Sequence, residues 1–149
     1  MIQRIQSIFL LLVALICILL LLFPFEQYSN GTDIITVSLL PFGSSNGVKS
    51  LIFAPVLINL LLCALAFFTI FQYKNRMKQI KITRAIMFTS LFLITAMLTI
   101  DFFDGDKTVW TKTYLWPAFL PILNVIFTFM AARFIKKDEE LVRSADRIR

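Results

Sequence analysis

The chain contains no histidine, only two cysteines, and no charged residue in the middle of any of its long apolar runs. The missing histidine removes the commonest metal ligand and general base. Cys17 and Cys63 both lie within apolar runs, where a thiol acts as a small apolar side chain. Uncharged apolar runs leave no ionisable carrier for protons or ions, which argues against charge-coupled transport. The absences therefore point away from redox chemistry, metal chemistry and charge-coupled transport.

The acidic residues form no recognisable catalytic or metal site. Asp101, Asp104 and Asp106 surround a glycine, but their spacing differs from that of a calcium-binding loop. The apolar runs contain no nucleophile–base pair and no carboxylate dyad. We therefore expect a solvated turn at these aspartates, no cofactor, and a protein that is not an enzyme.

Four apolar runs occupy most of the 149 residues, at positions 7–23, 51–71, 85–100 and 114–132. A helix needs about 20 apolar residues to cross the hydrocarbon core of a bilayer. Two runs reach that length, and the other two reach it with their apolar flanks. Continuous Leu, Ile and Phe without polar alternation exclude a β-barrel. We predict an all-α membrane protein, a single integral membrane domain over 1–149, with four transmembrane helices at about 5–23, 51–72, 83–103 and 114–134.

The basic residues predict the orientation. Twelve of the fifteen Lys and Arg residues lie in the N-terminus, the 72–84 connection and the C-terminal tail, and three lie in the other two connections. Positive residues in short loops mark the cytoplasmic side. Both termini are therefore expected in the cytoplasm. The five positive charges at 72–84 also suit anionic lipid headgroups, whereas no aromatic platform accompanies them, so no nucleic acid is expected.

The outer connection at 24–50 contains a β-branched stretch at 33–40 between an Asn-Gly turn and Pro41. Such a stretch is typical of a short strand or hairpin arm on the membrane surface. One interpretation is a small outer cap that contacts lipid or a partner. The other, which we favour from the sequence, is a linker whose apolar residues pack on the bundle.

Two amides are the most prominent polar groups within the spans. Asn59 and Asn124 each lie nine residues beyond the outer end of their spans, roughly 13 Å in depth at 1.5 Å per residue. We expect them in the bundle interior, with a hydrogen bond between them. Pro121 is expected to kink the fourth helix near its outer end. The alternative is a narrow cavity at these amides that binds a lipid-like molecule.

The C-terminal tail, 135–149, continues the fourth span without Gly or Pro, so we expect a helix that extends into the cytoplasm as an amphipathic segment. Its apolar seam is thin, and such a helix can dock on a protein partner. The residues predicted to contact that partner are Leu141, Val142, Arg143, Ala145 and Ile148.

The two ends of the chain carry a family resemblance. The opening MIQRIQS and the closing IKKDEELVRSADRIR resemble those of a bacterial family of uncharacterised integral membrane proteins with four spans, catalogued as a domain of unknown function. The resemblance implies a protein of the inner (cytoplasmic) membrane of a Gram-negative bacterium. It implies no activity, substrate or catalytic residue.

Two functions remain in view. The first is a non-enzymatic anchor or accessory subunit that engages a cytoplasmic protein through its tail. The alternative is the binding or transport of a lipid-like small molecule within the helix bundle. Membrane lipids are expected partners in both cases, with self-association as a further option.

Overall fold

The computed structural model describes residues 3–31, 34–40, 53–72, 75–103 and 111–147. The elements in chain order are α1 (Gln3–Leu22), β1 (Glu26–Ser29), β2 (Ile34–Val37), α2 (Phe53–Phe71), α3 (Arg76–Phe103), β3 (Thr111–Tyr114), a 3₁₀ turn (Trp116–Phe119) and α4 (Leu120–Arg147). Asp104, Asp106 and Ile148, which the sequence analysis singled out, lie outside the described residues.

The four helices form an antiparallel bundle. Each helix packs against its neighbours in chain order, and α4 closes the ring against α1. The three strands gather at one end, where α1 finishes and α4 begins. We call this the sheet end, and the opposite end, where α4 finishes, the tail end.

The surface of the bundle is apolar, which is the reverse of a soluble protein. Large apolar side chains on all four helices are exposed, among them Leu22, Phe71, Phe92 and Phe129. All four helices are long and apolar enough to cross a membrane. The predicted fold, a bundle of four transmembrane helices, is confirmed.

The bundle interior holds polar groups that satisfy themselves locally. Thr69, Thr83, Ser90 and Thr128 are buried, and each hydroxyl donates to the backbone carbonyl four residues earlier in its own helix. An unpaired hydroxyl costs free energy in an apolar medium, and this bond removes most of that cost. Thr and Ser can therefore serve as small residues at helix contacts, because their hydroxyl donors are already paired within the same helix.

A three-stranded antiparallel sheet, in the order β2-β1-β3, covers the sheet end. Glu26 of β1 pairs with Val37 on one side and Tyr114 on the other. Residues Ile34–Val37 therefore form the strand that the β-branched stretch suggested. Val37 and Leu39 are also buried in the core cluster, as expected of a connection whose apolar residues pack on the bundle. The sequence analysis missed β3, because residues 111–114 adjoin an apolar run and were assigned in part to the fourth span.

Two helix boundaries differ from the sequence prediction. The helix α3 begins at Arg76, well before the predicted start of its span, and the Asn75 side chain caps it by accepting the backbone N–H of Lys78. The fourth span opens with a 3₁₀ turn, which has proline in its first residues, before α4 begins at Leu120. Pro121 is therefore in the first turn of an α-helix, where its missing N–H has no helical partner to lose. A change of helix type therefore lies at the place where the kink was expected.

Candidate functional site

The two interior amides converge on a third residue and not on each other. Asn59 and Asn124 are both fully buried. The Nδ2 of Asn59 donates to the backbone carbonyl of Cys17 at 2.9 Å. The Nδ2 of Asn124 lies 3.6 Å from the Cys17 sulfur, which is a weak acceptor. The expected bond between the two amides is wrong, because α1 lies between α2 and α4 in the ring and presents Cys17 to both.

Each of these amides keeps one buried atom without a partner. The Oδ1 atoms of Asn59 and Asn124 have no hydrogen-bond donor in the described part of the chain. A buried acceptor left unpaired costs about 1–3 kcal/mol. The pair therefore contributes little net stability, and its main effect is to fix how α1, α2 and α4 pack together.

A charged cluster lies at the sheet end, on the face of the sheet where β1 meets β3. The carboxylate of Glu26 is nearly fully buried and lies 3.3 Å from the Lys112 ammonium. The Tyr28 hydroxyl lies 3.4 Å from the same carboxylate. The Lys112 ammonium also lies 4.4 Å from the ring centroid of Tyr114, within cation–π distance. The cluster therefore joins the connection after α1 to the connection before α4.

A cavity of about 300 Å³ opens beside this cluster, between the sheet, α3 and the start of α4. Its walls are mostly apolar, and Glu26 is the charged residue among those that line it. The residues that define it best are Glu26, Ile94, Met97, Tyr114, Ala118 and Ile122. Asn59 and Asn124 do not line it, so the structure separates the candidate ligand cavity from the amides.

A second ion pair lies at the tail end, between α3 and α4. The Arg76 guanidinium lies 3.3 Å from the Asp138 carboxylate and also donates to the Asp138 backbone carbonyl at 3.1 Å. Next to this pair, the fully buried Gln79 donates to the backbone carbonyl of Thr69 at 3.3 Å. Asp138 and the fully buried Ile135 belong to the predicted tail, so its first turn is packed and not free.

Beyond Asp138, none of the tail side chains whose burial the structure describes is buried. Leu141 is 47% exposed and Val142 is 42% exposed, although both are apolar. Arg143 and Ala145 are part of the same continuous helix, and no contact of their side chains is described. Of the predicted partner-binding residues, the structure therefore places Leu141 and Val142 on an exposed helical surface.

The chain is similar to one known protein family. A family model described as Domain of unknown function (DUF4293) matches residues 2–148. The chain belongs to this family. The match agrees with the resemblance drawn from the two ends of the sequence. No curated protein and no solved structure matches the chain.

Sequence reasoning missed the two ion pairs in this member of the family. Glu26 and Lys112 lie in different connections, and only the pairing of β1 with β3 brings them together. Arg76 and Asp138 were counted as topogenic and tail charges. Their position in the sequence could have indicated the ion pair, because Arg76 and Asp138 lie in helices close to the ends of the apolar runs.

Proposed function

We propose that this protein is a non-enzymatic membrane anchor or accessory subunit that engages a cytoplasmic protein through the end of α4. The observation that carries the proposal is the exposed apolar pair Leu141 and Val142, on a helix that continues beyond its last packed residue, Asp138. A helix that served only to fix topology would need no apolar surface there.

The charge distribution supports a cytoplasmic location for this surface. In the sequence, twelve of the fifteen basic residues lie in the N-terminus, the 72–84 connection and the C-terminal tail, and short basic segments stay on the cytoplasmic side. The partner we propose is a soluble protein with an apolar groove that accepts a single helix.

The test is a pull-down in mild detergent that compares full-length variants. The double variant Leu141→Asp/Val142→Asp places two negative charges in the proposed contact. The control, Lys137→Gln/Ser144→Asp, changes the net charge by the same amount at exposed positions of the same helix. We expect a stoichiometric partner, identified by mass spectrometry, to be lost from the first variant and retained by the control.

Truncation of the tail offers a second test, provided that the shortened chain still contains the ion pair between Arg76 and Asp138. A chain that ends at Glu139 keeps Asp138 and its contact with Arg76, so the bundle stays intact while the exposed surface is removed. A partner that binds this truncated chain as well as it binds the full chain would refute the proposal.

A second candidate function is the binding of a lipid-like small molecule. The cavity of about 300 Å³ at the sheet end favours it, because the volume is at the lower limit of ligand pockets and the walls are apolar. Glu26, which lines the cavity, suits a head group that donates a hydrogen bond.

This candidate is tested by filling the cavity. Ala118→Phe places a ring in it, whereas Ala64→Phe makes the same change at an exposed position of α2. With a fluorescent polyene fatty alcohol as the probe, whose hydroxyl can donate a hydrogen bond, we expect Ala118→Phe alone to reduce binding to the purified protein. Equal binding by both variants would exclude the cavity as the site.

A further inference from the structure

A second groove, with a different character, lies at the tail end on the surface between α3 and α4. It has a volume of about 240 Å³. Three of its lining residues are apolar, and three are basic: Ile80, Phe129, Ala132, Arg84, Arg133 and Lys136. Because positive charge from both helices meets over an apolar floor, the groove combines the two features of an amphiphile site.

The groove lies at the boundary between the apolar and the polar parts of the bundle. Arg84 comes directly before the uncharged run at 85–100, and Arg133 comes directly after the uncharged run at 114–132. Both are exposed. Phe129 is one helical turn inside the apolar run and is 58% exposed. The basic groups are therefore at headgroup depth, and the apolar floor is at the depth where acyl chains begin.

The described part of the chain leaves most of the positive charge of the groove without a close carboxylate. No carboxylate in the described ranges lies within ion-pair distance of Arg84 or Arg133. Lys136 lies 3.8 Å from Glu140, but both side chains are about two-thirds exposed, and such pairs are weak. Arg76 differs, because its guanidinium is already held by Asp138. The groove is thus a site of excess positive charge.

We propose that this groove binds the phosphate of an anionic phospholipid, with the start of one acyl chain against Phe129 and Ala132. Guanidinium groups match phosphate oxygens in geometry, and basic pockets between transmembrane helices bind anionic headgroups. A zwitterionic lipid carries a compensating positive charge, which the three basic residues disfavour. The site is independent of the tail surface and of the sheet-end cavity.

The experiment measures lipid binding to the purified full-length protein by native mass spectrometry in detergent. The probes are dioleoylphosphatidylglycerol and dioleoylphosphatidylcholine. Arg84→Gln/Arg133→Gln removes two charges from the groove, and Lys78→Gln/Lys81→Gln removes two exposed charges of α3 outside it. At about 1 kcal/mol for each basic residue, we expect binding of the anionic lipid to weaken about 30-fold in the first variant. The control should lose less than about threefold.

A variant without a charge change separates the lipid from a free anion. Ala132→Phe fills the floor of the groove, and Ala64→Phe is its exposed control on α2. We expect Ala132→Phe to weaken binding of phosphatidylglycerol, and inorganic phosphate not to displace the lipid. The proposal is overturned if the two charge variants lose equal affinity, since the attraction would then be delocalised. It is also overturned if phosphate alone competes fully and Ala132→Phe has no effect.

Discussion

The ion pair at the sheet end should respond unequally to loss of its two partners. Glu26 has a side chain that is 3% exposed, whereas the Lys112 side chain is 22% exposed. Lys112→Met leaves the carboxylate buried without the Lys112 ammonium beside it. Glu26→Gln instead leaves an ammonium that can turn towards water. We therefore predict that the lysine substitution destabilises the protein more than the glutamate substitution.

The exposure of the two side chains indicates how far the two substitutions should differ in their effect on the free energy of unfolding. Removal of one partner from a buried pair costs about 3–5 kcal/mol, and the partial exposure of Lys112 places Lys112→Met near the lower figure. Glu26→Gln removes a partly solvated interaction and keeps an amide that can still accept from Tyr28, so about 1 kcal/mol is expected. The double variant should be more stable than Lys112→Met alone, because it no longer buries a carboxylate that has lost the Lys112 ammonium.

The assay is reversible unfolding in mixed micelles titrated with SDS. Tryptophan fluorescence is a suitable signal, because Trp116 lies at the sheet end with its ring centroid 5.3 Å from that of Phe23. Lys81→Met, at an exposed position of α3, controls for a general loss of one positive charge. Equal effects of the two single substitutions, or additive effects in the double variant, would refute the reasoning.

Three further predictions follow from buried positions, all measured as free energies of unfolding in the same assay. Asn59→Leu should be neutral or stabilising by about 1 kcal/mol, because it removes an unpaired Oδ1 together with one bond; a loss above about 2 kcal/mol would contradict this. Ala66→Leu should cost about 1–3 kcal/mol because Ala66 is fully buried in α2, whereas exposed Ala64→Leu should have no effect. Asp138→Asn should cost about 1 kcal/mol and increase hydrogen exchange at the end of α4, and unchanged exchange would show that the ion pair does not hold the tail.

The helices could be predicted because one contribution, the transfer of a long apolar segment into lipid, dominates the free energy of their formation. A run of about 20 apolar residues has one favourable arrangement in lipid, so composition and length were enough to find all four. The burial of Asn59 and Asn124 was likewise expected from their depth and from the small residues near them. Their partner was not, because it depends on which helices are neighbours around the ring, and apolar runs carry no information about that order.

The ends of the bundle could not be predicted in the same way, because their contacts join segments that are distant in the chain. The sheet ties the connection after α1 to the strand before α4, and Arg76 ties the start of α3 to Asp138 near the end of α4. Both ties use charge, whereas the interior between them uses amides and hydroxyls that bond within the bundle. This division follows the solvent: an ion pair is tolerable near the headgroups and expensive in the hydrocarbon. The same division places the exposed apolar pair of the tail, the basic groove and the cavity beside Glu26 at the ends, where contact with other molecules requires no charge to enter the membrane interior.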